Sequence, residues 1–433
     1  MFRREGTKLL PVIDQQKRSI RILHVFSVLA LGGAETWLLS LLRYFHQQKG
    51  ELPFTVTFDI LLTGGKRAVF DDEAEALGAC LFYVPFTRRS IRSFIHEFRK
   101  ILKEGNYDAI HDHQDYVAGL HFAMGRSLLP PVRIAHVHNP LYHRTNQKTR
   151  FSSRSLNQLG KYFAGRYATH VMGTSRQIVT EYGFDDYSGA LTLGAAHCGF
   201  DVSRYRGDHA AVHADLCREF GWDESARILL FVGRLEGAEF LYEGRVMTHK
   251  NPAFALEVAR QCVAKDRRVK LLMVGAGEGK RQEFEAQVRA WKLDGVIRFP
   301  GVRSDVPRLM IGSDLFLFPS VAEGLGMVVV EAQAAGLPVL ASDTTPRECV
   351  VVPELTEFVP IGVAPELWAT RALRSLDTRR DSNLMSNQAV EKSGFSIKNS
   401  AQHLLRLYGA ALQFDEPTQG GLESSMLSNG RRC

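Results

Sequence analysis

With 433 residues, 45% hydrophobic and 23% charged, the chain has the composition of a globular protein and too much length for one ordinary core; two domains of about 200 residues each are expected. Its net charge of +7 is compatible with nucleic acid, anionic lipid or a phosphorylated substrate, but no nucleic-acid-binding signature accompanies it. Six cysteines without a Cys-x-x-Cys pair argue against a disulfide framework or a zinc site and fit a reducing cytosol. No segment approaches the roughly 20 apolar residues that cross a bilayer.

Residues 1–18 are basic and polar and read as a disordered lead-in without a secretory apolar stretch. The first periodic element is a buried strand, Ile20–Val28, followed by the turn Leu31-Gly-Gly-Ala-Glu35 and a Leu-rich helix, Glu35–Phe45. Strands are predicted at Phe54–Leu61, Leu81–Val84, Ala109–His113, Arg133–His138 and His170–Gly173. Between them, Arg88, Arg89, Arg92, Arg99, Lys100 and Lys103 are expected on one helix, as a solvated face or as a surface for anionic phospholipid. A second series follows: Ile228–Val232, Lys270–Val274, Ile297–Phe299, Leu315–Phe318, Pro338–Ala341 and Phe358–Val359. Helices fall between these strands at Pro252–Ala264, Gly279–Trp291 and Val328–Ala335. Buried strands alternating with helices imply parallel sheets covered on both faces. The expectation is an α/β protein with two doubly wound Rossmann-like domains, 19–203 and 204–395. A last helix, Ile397–Leu412, comes after the second sheet is complete, and 414–433 read as disordered.

The sharpest chemical signal is the run from Pro319 to Asp343. A buried strand ends, a loop Glu323-Gly-Leu-Gly326 follows, and a helix opens at about Met327. Glycines let backbone approach a ligand closely, and amides at a helix N-terminus bind phosphate or sugar hydroxyls. Glu331, inside an otherwise apolar helix, requires a polar partner: a neighbouring helix's cation, or a ribose or sugar hydroxyl. With its flanking strand and Ala-Gly-Leu-Pro-Val ending, this segment resembles the Glu-x7-Glu donor motif of retaining glycosyltransferase family 4. The resemblance runs from about Arg21 to Tyr408 and implies the GT-B fold, two Rossmann-like domains facing across a cleft. It implies that Glu323 meets the donor sugar, that Glu331 meets the ribose, and that backbone of Gly324, Leu325, Gly326 and Met327 contacts sugar and diphosphate. It also makes the last helix the one that crosses back to the first domain.

Phe231-Val-Gly-Arg-Leu235 and His249-Lys-Asn-Pro252 resemble the family's two basic elements, which assigns Arg234 and Lys250 to the departing diphosphate, whose growing charge two cations would stabilise. The charged insert Glu236–Thr248 between them departs from the family pattern. Gly32 and Gly33 form the first β–α turn, where such folds bind ligands, and resemble the Gly-Gly-Ala-Glu turn of members that build bacterial surface polysaccharides. Glu35 there serves equally well as a cap on the helix dipole. Residues two apart on a strand share a face, so His111 pairs with His113 and His136 with His138. By resemblance His138 lies beside the donor sugar. A metal on these histidines and Asp112 would require the two strand ends to converge, and none is expected. Gly275-Ala-Gly277 lacks the dinucleotide-binding spacing; it is expected to border the donor pocket, with Arg303 near the base.

The leading expectation is therefore a glycosyltransferase that uses a nucleotide diphosphate sugar as substrate, without a cofactor. By resemblance the donor is a UDP-sugar, and the acceptor is a glycan or lipid-linked saccharide at the inner face of a membrane. No Asp-x-Asp element points to a divalent ion. A sugar-nucleotide epimerase or hydrolase on the same fold, and a non-catalytic nucleotide-sugar-binding subunit, are the alternatives.

Overall fold

The computed structural model describes residues 18–52, 54–140, 151–185, 191–237, 239–242, 244–377 and 383–409; the expectations for 1–17 and 414–433 lie outside them. The first domain is built on β1 (Arg18–Phe26), β2 (Phe54–Leu62), β3 (Cys80–Tyr83), β4 (Ala109–Asp112), β5 (Val132–Val137), β6 (His170–Gly173) and β7 (Thr192–Ala195). All pair in parallel in the order β3-β2-β1-β4-β5-β6-β7. The second is built on β8 (Arg227–Val232), a two-stranded hairpin β9 (Phe240–Tyr242) and β10 (Arg245–Met247), then β11 (Val269–Val274), β12 (Ile297–Gly301), β13 (Leu315–Phe318), β14 (Val339–Ser342) and β15 (Thr356–Val359). Its six-stranded parallel sheet has the order β12-β11-β8-β13-β14-β15.

Both sheets show why their strands read as continuous apolar runs: helices cover each face, so β4 and β13 are buried at every position. Two apolar clusters flank each sheet. Strand β7 escapes sequence reading because Thr192-Leu-Gly-Ala195 is short, contains glycine, and is defined only by its pairing with β6. Strand β1 ends at Phe26, two residues sooner than expected, because Ser27 turns its carbonyl to the Gly64 amide, 2.7 Å away.

In each sheet the strand order reverses once, between β1 and β4 in the first and between β8 and β13 in the second. At such a point the flanking loops diverge and leave a crevice at the carboxyl ends of the strands. The chain passes from the first domain to the second near Phe200 and returns at 395–397, where the Phe200 amide donates to the Phe395 carbonyl at 3.0 Å and Ile397 donates to Phe200 at 2.9 Å. Helix Ile397–Gly409 then packs Ala401, Leu404 and Tyr408 into the first domain's core. The Trp37 indole N–H donates to Ser400 Oγ at 3.0 Å.

Candidate active site

The second domain's switch point gathers the charged residues. Strand β13 delivers Ser320 and Glu323, while β8 delivers Arg234. Lys250 lies just ahead of helix Pro252–Lys265, which starts with Pro252 in its first turn after Asn251 in a left-handed conformation (φ 52°). Lys250 Nζ lies 2.7 Å from Glu323 Oε1 and 5.1 Å from the centre of the Phe318 ring. The Ser320 hydroxyl lies against the same Glu323 oxygen and 2.8 Å from the His249 carbonyl. These contacts fix a carboxylate and an ammonium that are only partly buried, with side-chain exposures of 11% and 27%. Arg234 is exposed, and no hydrogen bond or ion pair ties it to a described residue. Its charge nevertheless reaches Glu35 of the first domain: burial raises the Glu35 carboxyl, and its own backbone N–H and Arg234 oppose the rise.

The described residues of the insert at 236–248 carry the antiparallel pair β9–β10, with Met247 buried and Leu241 and Val246 exposed at a paired position. It spans the gap between Arg234 and Lys250 without displacing Lys250 from Glu323. Gly275 (φ 151°) explains how the neighbouring loops close up, since a Cβ there would overlap the Gly233 carbonyl oxygen. Leu235 N donates to Ala276 O at 2.8 Å, so the Gly275–Gly277 turn braces the Arg234 loop.

Glu323 and Glu331 occupy different settings. Glu331 lies on helix Met327–Ala334, whose cap is Gly326 (φ 89°) with no side chain closing its first turn. Burial pushes the Glu331 carboxyl up; a hydrogen bond from the Tyr205 hydroxyl and the charges of Arg204 and Lys250 hold it back. Tyr205, itself buried, is the polar partner that the apolar helix required. Gly324 is where the domains touch: a Cβ would collide with the His138 carbonyl oxygen. Its own carbonyl accepts from Ser175 Oγ at 2.7 Å. Glu348 reaches across to accept from the Arg176 and Gln177 amides at 2.9 and 3.2 Å. Leu325 is buried, and Met327 packs against the cores of both domains.

Arg303 stands in a different cluster. It is held by Asp305 at 2.7 Å and by Glu219 at 2.9 Å, with Arg308 sharing both acids. Gly32 caps helix Gly33–Gln47, with the Glu35 carboxylate folded back over it, and Gly33 faces open space.

At the first domain's switch point the two histidine-bearing strand ends do converge, because β4 and β5 are neighbours, and β1 adds His24. Rings stack with centroids 4.1 Å apart in His111–His113 and in His136–His138. Trp37 stands edge-on to His111, His113 and His136. His24, His111 and His113 bring one ring nitrogen each within 4.8 Å of one another, as do His113, His136 and His138. The nitrogens pair with each other or with a phenol: His24–His113 at 3.0 Å, His113–His138 at 2.9 Å, His111–His136 at 3.0 Å and His111–Tyr408 at 2.8 Å. Burial pushes His24 and His138 down to about 3 and the other three well below the usual imidazole range. All five rings are therefore neutral at pH 7. His24, Trp37, Tyr205 and Ser320 were not singled out from sequence. A histidine on β1 at the position that pairs directly with His111, as His24 does, is a signal visible only once the pairing is known.

Two parallel doubly wound sheets, switch points turned toward each other and a paired Lys–Glu at one of them, define the GT-B class of glycosyltransferase. Comparison with known proteins agrees. Residues 31–185 match the family described as Glycosyltransferase Family 4 and residues 226–377 the family described as Glycosyl transferases group 1, and the chain belongs to these glycosyltransferases. A protein named as a glycosyltransferase, EpsF of Bacillus subtilis, is 28% identical over 91% of this chain and 98% of its own. An Escherichia coli alpha-1,3-galactosyltransferase, named for UDP-Gal and a GlcNAc-diphosphoundecaprenol, is 24% identical over 86% of this chain and 94% of its own. Anabaena HepE, solved in complex with UDP and glucose, shares the fold with a TM-score of 0.70 at 18% identity, over 90% of this chain and all of that one. No helix among the described residues is long and apolar enough to cross a membrane.

Proposed function

We propose that this glycosyltransferase moves a hexose from a uridine diphosphate donor to a glycan or lipid-linked acceptor in polysaccharide assembly, with retention at the anomeric carbon and without a divalent ion. The observation that carries the reading is the Lys250–Glu323 pair, with Arg234, unpaired among the described residues, nearby and the helix opened by Gly326 beside it. Charge on a departing diphosphate would fall on Arg234, Lys250 and the first-turn amides, already oriented before reaction. Glu323, held by Lys250 and Ser320, is positioned to accept from sugar hydroxyls rather than to attack carbon. Glu331, with Tyr205, is assigned to the ribose and His138 to the sugar. UDP and glucose bound to HepE, and the undecaprenyl-linked acceptor in the E. coli relative's name, support the donor and acceptor classes. The exposed cations Arg88, Arg89, Arg92, Lys100 and Lys103 are assigned to peripheral contact with an anionic membrane.

Calorimetric titration with UDP, GDP and ADP, each with and without magnesium, tests this directly. UDP binding that is indifferent to magnesium and weakened by Glu331→Ala is expected. Failure of all three nucleotides to bind would remove the donor assignment.

A further inference from the structure

His138 is the outer member of a chain of three imidazoles. Its Nε2 meets His113 Nδ1 at 2.9 Å, and His113 Nε2 meets His24 Nδ1 at 3.0 Å. His24 and His113 are buried, whereas His138 is partly exposed beside Gly324 at the junction of the domains. The inner end is closed: His24 Nε2 is buried without a hydrogen-bond partner. At the outer end His138 Nδ1 makes no hydrogen bond to a described residue.

A neutral imidazole carries one N–H and one bare nitrogen. For both hydrogen bonds to form, each must contain one proton, and only two arrangements of three neutral rings achieve this. Either all three rings carry the proton on Nδ1, or all three carry it on Nε2. Any mixed set sets two N–H groups, or two lone pairs, against each other in a dry interior, where an unmade hydrogen bond is costly. In the first arrangement His138 offers an N–H donor at its outer nitrogen; in the second it offers an acceptor. Passing from one to the other moves one proton through every ring, in at His138 Nδ1 and out at His24 Nε2 or the reverse. The closed inner end gives that proton nowhere to go.

From this geometry we propose that His24 and His113 are positioning residues that lock the tautomer of His138, and so fix whether it donates to or accepts from the bound substrate. The inference rests on the placement of His138 at the sugar, but the lock itself can be read without any ligand. It also means that His138 does not shuttle protons inward during transfer. The sequence pattern shows only two strand-end pairs; the lock appears because parallel pairing sets β1 beside β4 and β4 beside β5.

Ring-nitrogen NMR of the full chain labelled with 15N-histidine, assigned by single His→Gln variants, gives the test. His24, His113 and His138 are expected to be neutral at pH 7 and to carry their protons on the same-named nitrogen. A mixed set, a charged ring, or zinc retained stoichiometrically by these rings through dialysis would overturn the proposal. His24→Leu then removes the far end of the chain. It is expected to change the His138 ring signals two links away and to lower kcat roughly three- to tenfold, with the donor KM held within about twofold. An unmoved His138 spectrum in the folded variant would overturn the lock. The ligand-free wild-type measurement decides the matter even where the variant fails to fold. Loss of nucleotide binding would instead count against the donor site, leaving the ring spectra interpretable.

Discussion

The two switch points have the same place in their sheets and opposite electrostatics. At β8/β13 the groups are charged and only partly buried, and each retained charge has a partner or open solvent: Lys250 with Glu323, Arg234 exposed. At β1/β4 the groups are five imidazoles whose burial, with the mutual repulsion of the inner three second to it, leaves none with a proton beyond its neutral complement at pH 7. The difference shows that topology provides the crevice while burial decides what chemistry it contains. A partly solvated crevice keeps ions, as a diphosphate requires; a dry one keeps directional neutral hydrogen bonds, as sugar hydroxyls require.

That contrast makes its largest prediction at the charged end. Lys250→Met and Arg234→Ala each are expected to lower kcat by about 10²–10³-fold, the scale for removing one preorganised stabilising group, measured by initial rates of sugar transfer. Near-normal rates in both would erase the distinction between the two crevices.

The second prediction concerns pH and belongs to the neutral end. His24 and His138 are pushed from 6.5 down to about 3 in the folded state, so the unfolded chain binds protons that the folded chain refuses. Their contribution to stability is complete above pH 6.5 and is lost as pH falls toward 3. Each ring weakens the fold by up to about 1.4 kcal/mol per pH unit within that window, the partly exposed His138 by less than the buried His24. Urea midpoints at pH 7.5, 6 and 5 are expected to fall in that order, and replacing His24 by Leu should flatten the slope. A midpoint unchanged to pH 5 would show that these rings are not dry.

The smallest effect is expected at Arg303. Its ion pairs are partly exposed, the kind worth about 1 kcal/mol or less, and they commit the guanidinium to Asp305 and Glu219. Arg303→Ala is expected to weaken nucleotide binding no more than about fivefold by calorimetry. A loss of a hundredfold would show that the guanidinium leaves these acids to hold the nucleotide.

Much of the second domain was legible because its chemistry is local. Strand β13, the Glu323–Gly326 loop and the helix carrying Glu331 are contiguous, and Lys250 stands directly before the Asn-Pro start of its helix. What was not legible depends on strand order. His24 and His113 are separated by 89 residues, and no periodicity reveals that parallel pairing sets β1 beside β4. Tyr205, the partner of Glu331, comes from a short helical turn at the domain boundary. Its hydroxyl is brought to Glu331 by packing alone. The insert at 236–248 read as a charged departure, yet Met247 is buried and anchors the hairpin to the core.

Helix Ile397–Gly409 has a consequence for how the molecule is made. Trp37 waits for Ser400, 363 positions later, and His111 for Tyr408, 297 positions later. A ribosome adding about 5–20 residues per second therefore releases the second domain's strands while the first domain still lacks part of its apolar cover. Chains halted before Ile397 are expected to be cut by protease within helix Gly33–Gln47 while β8 to β15 stay protected; equal protection of both would show that the first domain matures alone. Newly made molecules would then finish from the second domain backward, with the oldest part of the chain the last to become native.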